Sequence, residues 1–258
     1  IAKVGYQGTV LPVLAAAFVL AKVEKTLHKI IPSVLNNLLT PLFTVFITGI
    51  LTFVVIGPVM RGLGDGITSG LLWLINTLGP IGGAIFGFLY APIVITGMHH
   101  SFVAIETQLL ADIATTGGSF IFPVAAMSNV AQGAAALSVL LILRKDNKMK
   151  GIASASGISA LLGITEPAIF GVNLKLRYPF FGAMIGSAVG SAYVMLTKVL
   201  AISPGAAGLP GIISIRPTSI VNYIIAMILS MVVAVVSTIV IAKFMNKKQV
   251  VNDEQIAA

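Results

Sequence analysis

Cysteine is absent from the 258 residues, and charge is scarce: 9% of residues are Asp, Glu, Lys or Arg, and only eight of them are acidic. The missing cysteines exclude disulfides, thiolate metal sites and a phosphocysteine anywhere in this chain. The shortage of charge excludes an ordinary soluble domain, which carries about 25% charged residues. There is one Trp, and no Walker loop, dinucleotide fingerprint or nucleophile elbow. What is present is apolar: 57% of residues are hydrophobic and the mean hydropathy is +1.03.

The solvent for such a chain is lipid, where a backbone must satisfy its own hydrogen bonds. Its apolar stretches are long runs and not alternating ten-residue segments, so the expected class is an all-α polytopic membrane protein, not a barrel. The net charge of +8 does not indicate nucleic-acid binding. The basic residues form short clusters between apolar runs, as the positive-inside rule requires. Residue 1 is Ile, and the first apolar run starts almost at once. The chain is therefore expected to be the C-terminal part of something longer.

Runs long enough to span cover roughly residues 4–23, 38–60, 81–98, 120–143, 178–200 and 218–242, near the ~20 residues needed for ~30 Å of hydrocarbon. The short Trp-bearing stretch before Gly79-Pro80 reads as an interfacial helix. Residues 101–118 are mixed, and 151–173 are small and broken by glycines. The basic clusters 22–29, 144–150 and 243–248 should share one side of the membrane. That count works after residue 150 if 151–173 enters and leaves by the same face. Between 29 and 144 three spans are counted, an odd number. Re-entry around 99–117 resolves it, since broken backbone is tolerated at depth only inside protein or along a cavity.

Polar residues inside apolar runs are the candidate site. Glu166 leads, in Gly163-Ile164-Thr165-Glu166-Pro167. An intramembrane carboxylate is expensive and marks substrate or ion paths. Pro167 pushes Glu166 away from helical geometry, and the pattern is a hairpin tip with Thr165 and a carboxylate at its turn. The alternative is that Glu166 caps a helix, sits at an interface, or pairs with Lys175 or Arg177. His99 and His100 follow. A neutral imidazole both donates and accepts, which suits sugar hydroxyls. Adjacent side chains on regular backbone diverge, so no shared metal is expected. Asn129 and Gln132, three apart, share one helix face and either read hydroxyls or join helices. Gln7 reads hydroxyls or serves structure, and Glu106 belongs to the site or lies at its mouth. Arg61 and Asp65 read as interface anchors, and Gly182, Gly186 and Gly190 as a helix-packing stripe.

Four blocks carry a resemblance. Gly5-Tyr6-Gln7-Gly8-Thr9-Val10-Leu11-Pro12, Thr96-Gly97-Met98-His99-His100-Ser101-Phe102, Asn129-Val130-Ala131-Gln132-Gly133 and Gly163 through Gly171 are similar to the enzyme IIC domain of the bacterial phosphotransferase system (PTS). The sequence most resembles the sucrose-specific branch of the glucose/glucoside group, over about residues 1–245.

The resemblance implies two re-entrant hairpins and a multi-pass protein of the bacterial inner membrane. It implies a division into 1–64, the end of a scaffold and dimerisation half; 65–80, an interfacial amphipathic helix; 81–243, the sugar-binding transport half; and 244–258, a polar cytoplasmic tail. It implies uptake of sucrose, or of a close disaccharide such as trehalose or a β-glucoside, with release as the sugar 6-phosphate. The partners implied are a IIB domain carrying the phosphocysteine, a IIA protein upstream in the relay, membrane lipid and a second copy in a homodimer; no cofactor is implied. In the family, the His of the Gly-Xaa-His block and the Glu of the Thr-Glu-Pro block contact sugar, matching His99 and Glu166. The Arg that glucose and maltose relatives place eight residues before that His is Ala91 here, so the sugar must be held differently. On the residues alone, a proton- or sodium-coupled sugar carrier and a non-transporting scaffold remain open.

Overall fold

A computed structural model describes residues 10–257 apart from 112, 144 and 145. The described residues are mostly helical, and the only strand-like pairings among them are two isolated bridges, Ser119 with Ala201 and Ala201 with Ile215. The chain divides into two compact units. One holds residues up to 71 together with 93–103; the other holds 72–92 and 104 onward.

In the first unit, α1 (Val10–Ile30) is followed by α2 (Ser33–Leu51). Pro32 stands just before α2, where its missing N–H costs nothing. A π turn, Thr52–Ile56, leads into α3 (Gly57–Leu78), which runs on into the second unit. The buried edge of α2 is polar: Thr40, Thr44 and Thr48 recur every fourth residue, and Thr40 donates to Asn36 Oδ1. Gly79 (φ 53°) then Pro80 end α3 and start α4 (Pro80–Ile95), a left-handed stop followed by a residue suited to a first helical turn.

Gly97 (φ 72°) breaks the chain after α4. A 3-10 turn, Met98–Ser101, then α5 (Phe102–Ala111) and α6 (Ile113–Thr116) follow. Four helices among the described residues are long and apolar enough to cross a membrane: Ser33–Met60, Ile121–Ile142, Tyr178–Leu196 and Pro217–Met245. The α4 segment and the one after its break reach that length only when counted together as one bent span.

The second unit is built round α7 (Ile121–Ile142), buried along most of its length. After it come α8 (Asn147–Leu161), the short turns α9 (Glu166–Ala168) and α10 (Leu174–Leu176), α11 (Tyr178–Leu196) and α12 (Ile220–Ala257). Ser230 donates to Met127 O (2.9 Å), Ala234 packs with Ala131 and Ala135, and Ala242 clusters with Val139. These contacts advance together, so α7 and α12 run parallel. Their C-terminal ends, which lead to the basic clusters 144–150 and 243–248, therefore share a side. The glycine stripe does what its spacing predicts. A Cβ on Gly182 would meet Thr238 Oγ1, one on Gly186 Ser230 O, and one on Gly190 the Ser230 Cβ at 2.7 Å. The absent side chains let α11 and α12 touch.

Between α7 and α11 the chain makes a hairpin. Asp146 caps α8 by accepting from Met149 N at 2.9 Å. Helix α8 then runs back along α7, with Gly157 against Gly133. Fifteen residues reach only about 22 Å, short of a crossing. The chain turns at 162–166 and returns. Val172 and Tyr178 rejoin the buried cluster of Val139, Met149 and Ala242 from which α8 set out. Residues 147–178 thus go in and come back at one end of α7.

Candidate functional site

Glu166 occupies the tip of that hairpin. Its depth follows from Asn129, whose Nδ2 donates to Gly163 O at 3.4 Å. Asn129 lies about 12 Å from the start of α7 and about 20 Å from its end at 1.5 Å per residue. The tip is therefore held well inside the length of a membrane-spanning helix.

Two glycines build the turn. Gly163 has φ +107°, and a Cβ there would strike Ala207 O; Gly208 has φ +109°, with Leu161 O 2.6 Å from its Cβ position. Two loops, 161–165 and 204–211, thus lie backbone to backbone. Tyr223 donates to Gly208 O at 2.9 Å, and Ser159 donates to Ile164 O at 3.0 Å. The tip has a rigid back, and its carboxylate faces outward: Thr165 is buried and Glu166 exposed.

The alternatives for Glu166 are thereby narrowed. It is the first residue of a three-residue helical turn, with Thr165 preceding it and making no side-chain cap. Among the described residues Glu166 has no salt-bridge partner within 4.0 Å, so it pairs with neither Lys175 nor Arg177. An exposed, uncommitted carboxylate on a backbone turn held from behind is equipped to accept a hydrogen bond from a ligand hydroxyl.

Gln132 lies inside the protein. It is 1% exposed, and its Oε1 and main-chain O accept from Asn173 Nδ2 at 2.6 and 3.0 Å. Asn129 and Gln132 each bond to another segment of the protein, and Gln132 Nε2 is buried with no partner. Glu106 is half-buried beside the Ser119 hydroxyl, with its Oε1 shut off from solvent. Ser119 is itself tied into the bridge to Ala201. His99 and His100 lie in the other unit, on the 3-10 turn, His99 half-buried and His100 exposed. Their rings do not diverge as regular backbone would make them; the tight turn brings their centroids to 4.1 Å. Gln7 lies outside the described residues, as do the side chains of Arg61 and Asp65. Among the described residues no three His, Cys, Asp or Glu side chains are grouped to hold a metal ion.

Sequence reasoning passed over Asn173 and the 204–211 loop. An amide inside an apolar run was the available signal for the first. The second offered only glycines and prolines, which mark a loop without saying what it touches.

The family model "Phosphotransferase system, EIIC" matches residues 1–187. The chain belongs to this family. With its candidate spans, this EIIC chain is an integral membrane protein. The sucrose-specific EIIBC component of Vibrio alginolyticus is 64% identical over 241 residues, 93% of this chain and 50% of that relative. The sucrose-specific EIIBC component of Staphylococcus xylosus is 62% identical over 229 residues, 88% of this chain and 48% of the relative. The trehalose-specific EIIBC component of Bacillus subtilis (strain 168) is 44% identical over 245 residues, 95% of this chain and 52% of the relative. The EIIC chain spans about half the length of these curated relatives. No solved structure matches it.

Proposed function

We propose that this chain is the sugar-translocating part of a phosphoenolpyruvate-dependent phosphotransferase system in the bacterial inner membrane, and that its sugar is sucrose. The names of the relatives support this. The two sucrose-specific relatives named above are 64% and 62% identical, and the trehalose-specific one 44% identical. Family membership favours group translocation over an ion-coupled carrier. The observation that carries the site reading is Glu166 at the tip of a hairpin tied to the middle of α7 through Asn129. Substrate sites of transporters lie near the bilayer midplane, at breaks in helices.

In this reading 147–178 and the broken segment around 99–117 are the two re-entrant hairpins. Residues 81–243 are the transport half, 1–64 the end of the scaffold half that pairs with a second copy, and 65–80 an interfacial helix. Glu166 is the catalytic residue. It accepts the proton of the sugar 6-hydroxyl while the hydroxyl oxygen attacks phosphorus. The S–P bond of a phosphocysteine breaks and the thiolate leaves. With no Cys of its own, the chain takes phosphate from a IIB domain, which a IIA protein reloads. His99, with His100 beside it, contacts the sugar hydroxyls; Thr165 and Asn129 shape the tip. Phosphoryl transfer asks mostly for positioning and charge stabilisation, which a carboxylate on a held turn supplies. The test is Glu166→Gln in the full-length protein. Phosphoenolpyruvate-dependent sucrose phosphorylation should fall by about 10²-fold or more; unchanged phosphorylation would refute the role.

A further inference from the structure

We infer that Asn173 is a positioning residue for Glu166: it locks the phase of the turn that carries the carboxylate. The inference rests on the role given to Glu166 above.

The Asn173 side chain is fully buried, and both protons of its amide go to one residue. They are donated to the main-chain oxygen of Gln132 at 3.0 Å and to its Oε1 at 2.6 Å. Gln132 stands three residues after Asn129, on the same face of α7, and Asn129 holds Gly163 O. The stretch from Gly163 to Asn173 is therefore tied at both ends to one face of one helix. Glu166 is suspended between the two ties.

What lies between Glu166 and Asn173 makes the second tie matter. Residues Ile169–Asn173 form a π turn. Such a turn carries one residue more than an α-helical turn and is rare, appearing mostly as single turns within helices, often at functional sites. Asn173 is its last residue, and the bonds to Gln132 bind that residue to α7. If the π turn relaxed to α-helix, the chain upstream would rotate by about 100°, one residue's worth of helical phase. Glu166 would then point away from where its backbone now aims it. A leucine at 173 would fill the same buried space, but it would not choose between the two windings. The amide bonds are directional, so they do.

The experiment uses the full-length protein in proteoliposomes with its phosphate donor, and labelled sucrose as the probe. Asn173→Leu should lower kcat by on the order of 10- to 100-fold, the penalty for a misplaced catalytic group. The dissociation constant for sucrose should rise by less than kcat falls, because the rotated turn withdraws one carboxylate and leaves the contact given to His99 in place. Hydrogen exchange of a peptide spanning 164–174 should speed up. In a Glu166→Gln background, Asn173→Leu should remove less than about threefold of the residual activity, since both act through one carboxylate. A kcat within threefold of the parent, or a loss that multiplies in full on Glu166→Gln, overturns the inference. Glu166→Gln with unchanged kcat overturns the reading of Glu166 and the inference with it. An inactive Glu166→Gln beside an unaffected Asn173→Leu overturns the inference alone. If Asn173→Leu does not reach the membrane, Gln132→Leu and Gln132→Glu decide. The glutamate keeps an acceptor for Asn173 and should retain several times the kcat of the leucine variant; equal losses overturn the inference.

Discussion

Asn129 reaches 34 residues along the chain to hold the main-chain oxygen of Gly163, three residues before Glu166. That bond connects the helix at the centre of its unit to the turn that presents the carboxylate. Asn129→Leu should therefore impair function more than folding. Side-chain hydrogen bonds within membranes average about 0.6 kcal/mol, too little to unfold the protein. The tip would lose one of its two ties to α7. Sucrose phosphorylation by the full-length protein should fall about tenfold, a positioning loss, while its melting temperature in detergent moves by a few degrees. A phosphorylation rate equal to the parent's would show that Asn129 does not hold the tip.

Gly163→Ala tests the back of the same turn. Its φ of +107° is one that side chains rarely adopt, and an added methyl would meet Ala207 O. Strained backbone of this kind costs on the order of 1–3 kcal/mol, and the two loops must also part. The expected result is a lower melting temperature together with lost phosphorylation. Gly151→Ala is the matched control, because a Cβ there meets nothing within 4 Å.

How much of this was legible in the sequence depended on the range of the interaction. The helical class, the glycine stripe on α11 and the carboxylate-bearing turn at 163–167 are local patterns, in which spacing and residue type suffice. The partner of each amide was not legible. Asn173 and Gln132 are 41 residues apart, and only the return of the hairpin along α7 brings them together. Polarity within an apolar run showed that Asn129 and Gln132 needed partners, but not whether those partners were sugar hydroxyls or protein. The close approach of the His99 and His100 rings likewise depended on a 3-10 turn that periodicity did not announce.

Gly186→Leu should damage assembly and not chemistry. Helix α12 passes so close that Ser230 O and Ala234 lie where the side chain would go. Overpacking a well-packed contact costs about 1–3 kcal/mol or more, and no flexible side chain tip is there to yield. The expected outcome is a broad or aggregated peak in size-exclusion chromatography of the detergent extract. A monodisperse protein with parental melting temperature would show that α11 and α12 are less tightly joined.

Sidedness offers the last test, and the absence of cysteine makes it clean within this chain. Ser230 bonded to Met127, and Ala242 clustered with Val139, make α7 and α12 parallel. Lys148 follows the end of α7, and Lys243 stands near the apolar end of α12. Both are exposed. Lys148→Cys and Lys243→Cys should therefore react with a membrane-impermeant maleimide from the same side. That side is the cytoplasm, because basic clusters are retained there. In intact cells neither should label, and in inverted vesicles both should. Gly205→Cys would clash with Ser214 Oγ, so Ser203→Cys is the better probe of the loop between α11 and α12. Helix α11 runs opposite to its neighbours, so this loop sits at the other end of the unit. Reaction of Lys148→Cys and Lys243→Cys from opposite sides would break the parallel arrangement. The hairpin of 147–178 would then no longer return to the side it came from, and Glu166 would lose its place at a tip within the membrane.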